Sequence, residues 1–246
     1  MSTAKKARSK SEQALDGLIQ QHPLQRLASP SRTISAGVHA LGLASYAYSF
    51  DYLVGHPNHI NQAYGWHFQY LTIIGLSLAT LTFGLGLVAD VTLHRGAFAW
   101  KNVLSMCAAP MEVLISTLYW GLRAIDPAPV VPPDLELPLP ADLSFHLAPT
   151  VFLVLDILLL SPPWTIAALP ACALSTAIAF LYWFWIEACF QRNGFYPYPL
   201  FELLDNTQRV ALFGGCAAVM ALITLALKMV YRLVNGAGSE RPGKLR

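Results

Sequence analysis

The apolar residues of this chain gather into six runs close to 20 residues long, the length an α-helix needs to cross about 30 Å of hydrocarbon. The runs cover about 33–54, 68–92, 102–124, 143–161, 164–188 and 208–234. Inside a bilayer no water is present to satisfy the backbone, so runs of this length are restricted to helices. The expected fold class is all-α: a polytopic transmembrane helical bundle of six spans. Only 12% of the 246 residues are charged, against about 25% in an average soluble domain, which argues against a water-solvated globule.

The charges that remain give the orientation. Thirteen of the 16 Lys and Arg fall in the N-terminal tail, beside Arg95 and Lys101 in the loop after span two, or at the C-terminal end. The loops on the other side hold Arg123, Arg192 and Arg209. The positive-inside rule then places both termini in the cytoplasm, as an even number of spans also requires. The expected organisation is a basic, disordered cytoplasmic tail (1–32), a transmembrane domain (33–234) and a short cytoplasmic tail (235–246). The first 32 residues lack an apolar core segment, so no cleavable signal peptide is expected. The endoplasmic reticulum is the expected membrane, ahead of the plasma membrane.

Cys107, Cys172, Cys189 and Cys216 are scattered in or beside spans without CxxC spacing, as expected of buried apolar thiols. The Pro- and acid-rich stretch 125–142 reads as an extended outer loop. Ser161-Pro162-Pro163 is so short a link that spans four and five are expected to be antiparallel neighbours. Internal repeats, common in secondary transporters, are not found.

No HExxH, Walker A, GxSxG or GxGxxG pattern occurs in a usable context. His56, His59 and His67 share an outer loop without ligand spacing, and no metal is expected there. His39 and His146 are the histidines inside spans. They lie toward opposite faces, against paired haem ligation, and no cofactor is expected. Asp51, Asp90, Glu112, Asp156 and Glu187 fall in or at the ends of spans, where shared hydrogen bonds between helices are the ordinary role.

Thr72 and His146 are different. Each lies near the outer start of an inward-running span, about 6 Å and about 4–5 Å down at 1.5 Å per residue, so a hydroxyl and an imidazole share one depth. These are the minimum parts of a nucleophilic hydrolase. Residue chemistry alone leaves open an ordinary helical threonine, because Ser77, Thr80 and Thr82 are equally eligible. It also leaves open an interfacial histidine.

Short motifs then carry a resemblance. Tyr70-Leu71-Thr72 with Asp90, Pro110 with Trp120 and Asp126, His146 with Asp156, and Tyr198-Pro199 with Glu202, Arg209, Phe213 and Gly214 occur in order across about 68–214. This pattern resembles the androgen-induced-gene and androgen-dependent TFPI-regulating protein family of integral membrane threonine hydrolases. The resemblance implies a lipid ester hydrolase acting on fatty acid esters of hydroxy fatty acids, with Thr72 as nucleophile and His146 as its catalytic partner. Arg209, Asn206 and Tyr198 are then candidate oxyanion donors, and Glu202 or Asp142 candidates to orient the imidazole. The chain departs from the family pattern at Leu143, where a second histidine is common, at Glu112, in place of a small residue, and at Phe68-Gln69, in place of Trp-Lys. The expected partners are membrane lipids and the ester substrate, with no nucleic acid. The competing reading is a non-enzymatic lipid-binding membrane regulator or transporter.

Overall fold

The computed structural model describes residues 32–126, 128, 130–131, 135–164 and 166–235. Both expected cytoplasmic tails fall outside the described residues but for a residue at the inner edge of each. The described secondary structure is helical. Helix α1 spans Arg32–Gly55, α2 Leu71–Thr92, α3 Arg95–Ile125, α4 Leu139–His146, α5 Ala148–Leu155, α6 Ala168–Asn193 and α7 Asn206–Asn235. Single 3₁₀ turns at His59–Gln62, Trp66–Gln69 and Pro199–Phe201 punctuate the connections.

The breaks have local causes. Leu93 takes a left-handed conformation (φ 59°) and its N–H bonds Ala89 O, ending α2. His94 then caps α3, its Nδ1 accepting from the N–H of Ala97 at 3.0 Å. Pro149 lacks the N–H that would continue the helix back to Phe145, and α4 and the helix that follows meet at a 42° bend. The fourth apolar run is thus a broken helix, widening into a π-turn at Asp156–Leu160. Gly194 (φ 75°) supplies the left-handed residue that stops α6.

Four helices, α2, α3, α6 and α7, are long and apolar enough to cross a membrane, and the bent α4–α5 pair makes a fifth candidate. Helix α1, the first of the six expected spans, is not among them. Helix α6 begins at Ala168, four residues later than expected, and packs chiefly on α7 rather than on the fourth run. The expectation of antiparallel neighbours across Ser161-Pro162-Pro163 is therefore corrected: an extended segment separates the two.

The core centres on Tyr46, Leu76, Phe83 and Leu153, all fully buried between α1, α2, α3 and α5. Tyr46 and Phe152 each meet Phe83 edge-on. Below this apolar layer lies a buried charge cluster. Ser35 Oγ donates to both oxygens of Asp90 at 2.9 Å. His39 Nδ1 lies 2.6 Å from Asp90 and Nε2 3.2 Å from Asp156. Lys101 Nζ donates to Asp156 at 2.6 Å and to Ser161 Oγ at 2.7 Å. Gly86 makes room for the imidazole, since a Cβ there would stand 2.5 Å from His39 Nε2.

Lys101 is consequently not a loop cation. It is fully buried inside α3, and the surface charge tally read from sequence loses one member. Higher in the bundle Glu112 presses on Gly75, and its carboxyl oxygens have no hydrogen-bond partner among the described residues.

Removing one partner from a buried ion pair strands the other, at a cost of about 3–5 kcal/mol. Lys101→Met should therefore lower the unfolding midpoint sharply in detergent. Lys101→Met with Asp156→Leu should recover part of that loss, because the stranded carboxylate goes too. Denaturant titration of both variants checks the order.

Candidate functional site

Thr72 occupies the second position of α2. The helix starts there because Tyr70 is extended (φ −86°, ψ 129°) after the 3₁₀ turn Trp66–Gln69. This placement separates Thr72 from the other hydroxyls of its helix. Ser77, Thr80 and Thr82 each donate to the carbonyl four residues back, at 2.7 Å. Thr72 has no such turn behind it, and its side chain instead meets the hydroxyl of Tyr198.

Tyr198 is held over the start of α2 by the α6–α7 connection. Its phenol also meets the backbone of Leu71 and Thr72 and the hydroxyl of Tyr182. Burial pushes the Tyr198 phenol above its ordinary value, and these hydrogen bonds partly offset the shift. Three contacts tie α6 to the segment leading into α2: Tyr182 OH to Gln69 O at 2.9 Å, Trp185 Nε1 to Phe68 O at 2.9 Å, and Asn193 to both backbone groups of Tyr64.

His146 ends α4, just before the break. Asp142 lies one turn earlier on the same face, its Oδ1 2.8 Å from His146 Nδ1. The second Asp142 oxygen is 3.1 Å from Arg123 NH1. Arg123 also donates to Tyr119 OH at 2.7 Å, and the Tyr119 ring stacks on the imidazole at 3.5 Å and 7°. Two i,i+4 pairs, one on α3 and one on α4, thus close a ring of four side chains. With Nδ1 engaged by the carboxylate, the ring proton is held there and Nε2 is left as the basic nitrogen.

Thr72 and His146 line one cavity of about 400 Å³ together with Tyr70, His67, Tyr119 and Tyr198. Among the hydrogen bonds of the described residues none joins the two directly; they share a wall. A second, narrower cavity of about 140 Å³ runs from Thr72 between α2, α3, α6 and α7, lined by apolar side chains such as Ile115, Leu118 and Met220. Thr72, Tyr119, Val130 and Tyr198 border both.

Of the five supporting residues expected from sequence, Asp142 and Tyr198 are at the site. Arg209 is not. It bonds Tyr196 OH at 2.6 Å, Phe201 O at 3.0 Å and Glu187 at 3.4 Å, knitting the α6–α7 connection together. Burial, and then the Tyr196 hydroxyl's own hydrogen bond to the Glu187 carboxylate at 2.9 Å, push that phenol up to about 12, and the Arg209 charge partly offsets the shift. Glu202 and Asn206 are exposed and border neither cavity. Sequence reading missed Tyr119 and Arg123, although their i,i+4 spacing matches that of Asp142 and His146. It also set aside His67, which is buried, reaches the cavity, and has Nε2 3.3 Å from Asn61.

Apolar membrane-length helices around a buried polar site define an integral, multi-pass membrane protein of the helical class. The chain belongs to the FAR-17a/AIG1-like protein family, whose profile matches residues 34–232. A UPF0641 membrane protein of Schizosaccharomyces pombe is 33% identical over 218 residues, covering 85% of this chain and 96% of its own. No solved structure matches the chain.

Burial, with a smaller repulsion from His59, pushes the His67 imidazole below its ordinary 6.5. The unfolded chain then takes up a proton before the folded one does, so stability should fall as pH drops below 6.5 and toward the depressed value. An NMR titration of the histidine rings should find His67 titrating below the ordinary value. Titration at or above it would contradict the buried placement.

Proposed function

We propose that this protein is a membrane-embedded threonine hydrolase that cleaves lipid esters, fatty acid esters of hydroxy fatty acids among them. The observation that carries the reading is the shared cavity wall: a hydroxyl free of the helix ladder faces the same space as an imidazole oriented by a carboxylate. In the proposed reaction His146 Nε2 takes the Thr72 proton as Oγ1 attacks the ester carbonyl carbon. The tetrahedral intermediate collapses with cleavage of the bond to the alcohol oxygen, which receives that proton from His146. Water, deprotonated by the same nitrogen, then attacks the acyl-threonine, releasing the fatty acid and restoring Thr72. Asp142 holds the imidazole in its productive tautomer. The Tyr198 hydroxyl, beside Oγ1 and the first N–H groups of α2, is the donor best placed to stabilise the developing oxyanion.

The proposal includes six crossings with both termini cytoplasmic. Helix α1 is 24 residues long, about 36 Å at 1.5 Å per residue. Its polar residues Ser35, His39 and Ser49 are buried in the bundle, whereas Ile34, Leu41 and Val54 face outward. This inverted pattern supports a crossing helix whose average polarity is raised by its inner face. Without Lys101 the excess of Lys and Arg still lies with the tails.

Loss of a general base costs about 10²- to 10⁴-fold in rate. His146→Ala and Asp142→Asn should each lower kcat for a branched fatty acid ester by amounts within that range. Thr72→Ala should abolish turnover and Thr72→Ser should retain part of it. Full turnover in Thr72→Ala at equal expression would refute Thr72 as the nucleophile, and no turnover in the wild-type protein would leave a lipid-binding role.

A further inference from the structure

The two cavities differ in chemistry, and they meet at the proposed nucleophile. The narrow one is walled mostly by apolar side chains such as Ile115, Leu118, Leu212 and Met220. Its polar groups are Thr72, Tyr119, Tyr182, Tyr198 and Cys216, with no charged side chain among its lining. The wide one adds His56, Asn58, His67 and Glu136 to the wall that carries His146. His146 borders the wide cavity and is not part of the narrow one.

Ester chemistry converts that asymmetry into a substrate orientation. One imidazole nitrogen must deliver a proton to the departing alkoxide and later take one from the attacking water. The leaving oxygen and the water must both therefore lie on the His146 side of the carbonyl carbon. The acyl group is bonded to Thr72 Oγ1 from its formation in the first step until water releases it in the second, so its chain has to extend away from the imidazole.

We propose that the cavities sort the two halves of the ester: the acyl chain occupies the narrow cavity, and the alcohol half occupies the wide one. This rests on the hydrolase reading above. The substrate class that fits is an asymmetric ester, with a plain, unsubstituted acyl chain on an alcohol that is bulky or carries a polar group. After the first step the alcohol leaves through the wide cavity and vacates the space that water then fills. The narrow cavity stays filled by the acyl chain until the second step.

The test uses the purified full-length protein, two narrowing variants for each cavity and two ester series. Cys216→Phe and Ile178→Phe shorten the narrow cavity; Val131→Phe and Leu53→Phe fill part of the wide one. One series carries acyl chains of increasing length on a fixed 4-methylumbelliferyl alcohol. The other carries one short acyl group on hydroxy acids of increasing length. A pocket displacement of one or two methylenes changes kcat/KM by about tenfold or more. Cys216→Phe and Ile178→Phe should show that loss for long acyl chains and leave the alcohol series unchanged. Val131→Phe and Leu53→Phe should do the reverse.

The opposite assignment, or equal losses in both series, would overturn the orientation while leaving the hydrolase intact. Turnover that survives Thr72→Ala would sink the Thr72 mechanism and the orientation with it; turnover missing from the wild-type protein would sink the hydrolase reading itself.

Discussion

A bilayer interior offers no solvent to a charge, so charged side chains there must neutralise one another. The cluster of Asp90, His39, Asp156 and Lys101 meets that demand, and the placement of the site follows from it. Both ring nitrogens of His39 face carboxylates, an arrangement that the doubly protonated ring satisfies and that balances two anions with two cations. Three of the four elements clamped here carry residues of the site, and α1, which supplies Ser35 and His39, adds cavity wall at Tyr52 and Leu53. Thr72 is 18 residues before Asp90 on α2, Tyr119 is 18 residues after Lys101 on α3, and His146 is ten residues before Asp156. At 1.5 Å per residue, anchoring α2 to α3 here fixes their registers about 27 Å away, and Asp156 ties the bent fourth run to both.

The opposite end is organised differently. There side chains of α6 donate to backbone carbonyls and tie that helix to the segment leading into α2. Tyr198 reaches the start of α2, while the break before Pro149 ends α4 at His146. A continuous helix would have bonded the carbonyls of that turn within itself. Ending it there leaves His146 at a helix terminus beside a cavity, with Asp142 one turn behind it.

How much of this could be read from sequence depended on whether the signal was local. The apolar runs located the helices, although α3 starts at Arg95 rather than 102 and the fourth run is broken. Asp142 stood only as an alternative to Glu202, because 125–142 read as an extended loop, whereas α4 starts at Leu139 and sets Asp142 one turn before His146. Thr72 was indistinguishable from Ser77, Thr80 and Thr82 until the helix start was known, since back-bonding depends on having a turn behind the residue. Lys101 was assigned to a loop because it stands at the edge of an apolar run. Its partner Asp156 is 55 residues away, and only folding brings them together. Tyr119 and Arg123 were missed for the same reason. Arg209, Glu202 and Asn206 were placed at the correct end of the bundle, but depth carries no information about which way a side chain points.

Hydrolysis by this site requires Thr72 to form a covalent bond to the reacting group. The most direct test treats membranes with a serine/threonine-hydrolase fluorophosphonate probe and maps the adduct by peptide mass spectrometry. One saturable adduct on Thr72 is expected, lost in Thr72→Ala and strongly slowed in His146→Ala. An adduct on another hydroxyl, or unchanged labelling of the Thr72→Ala protein, would contradict it.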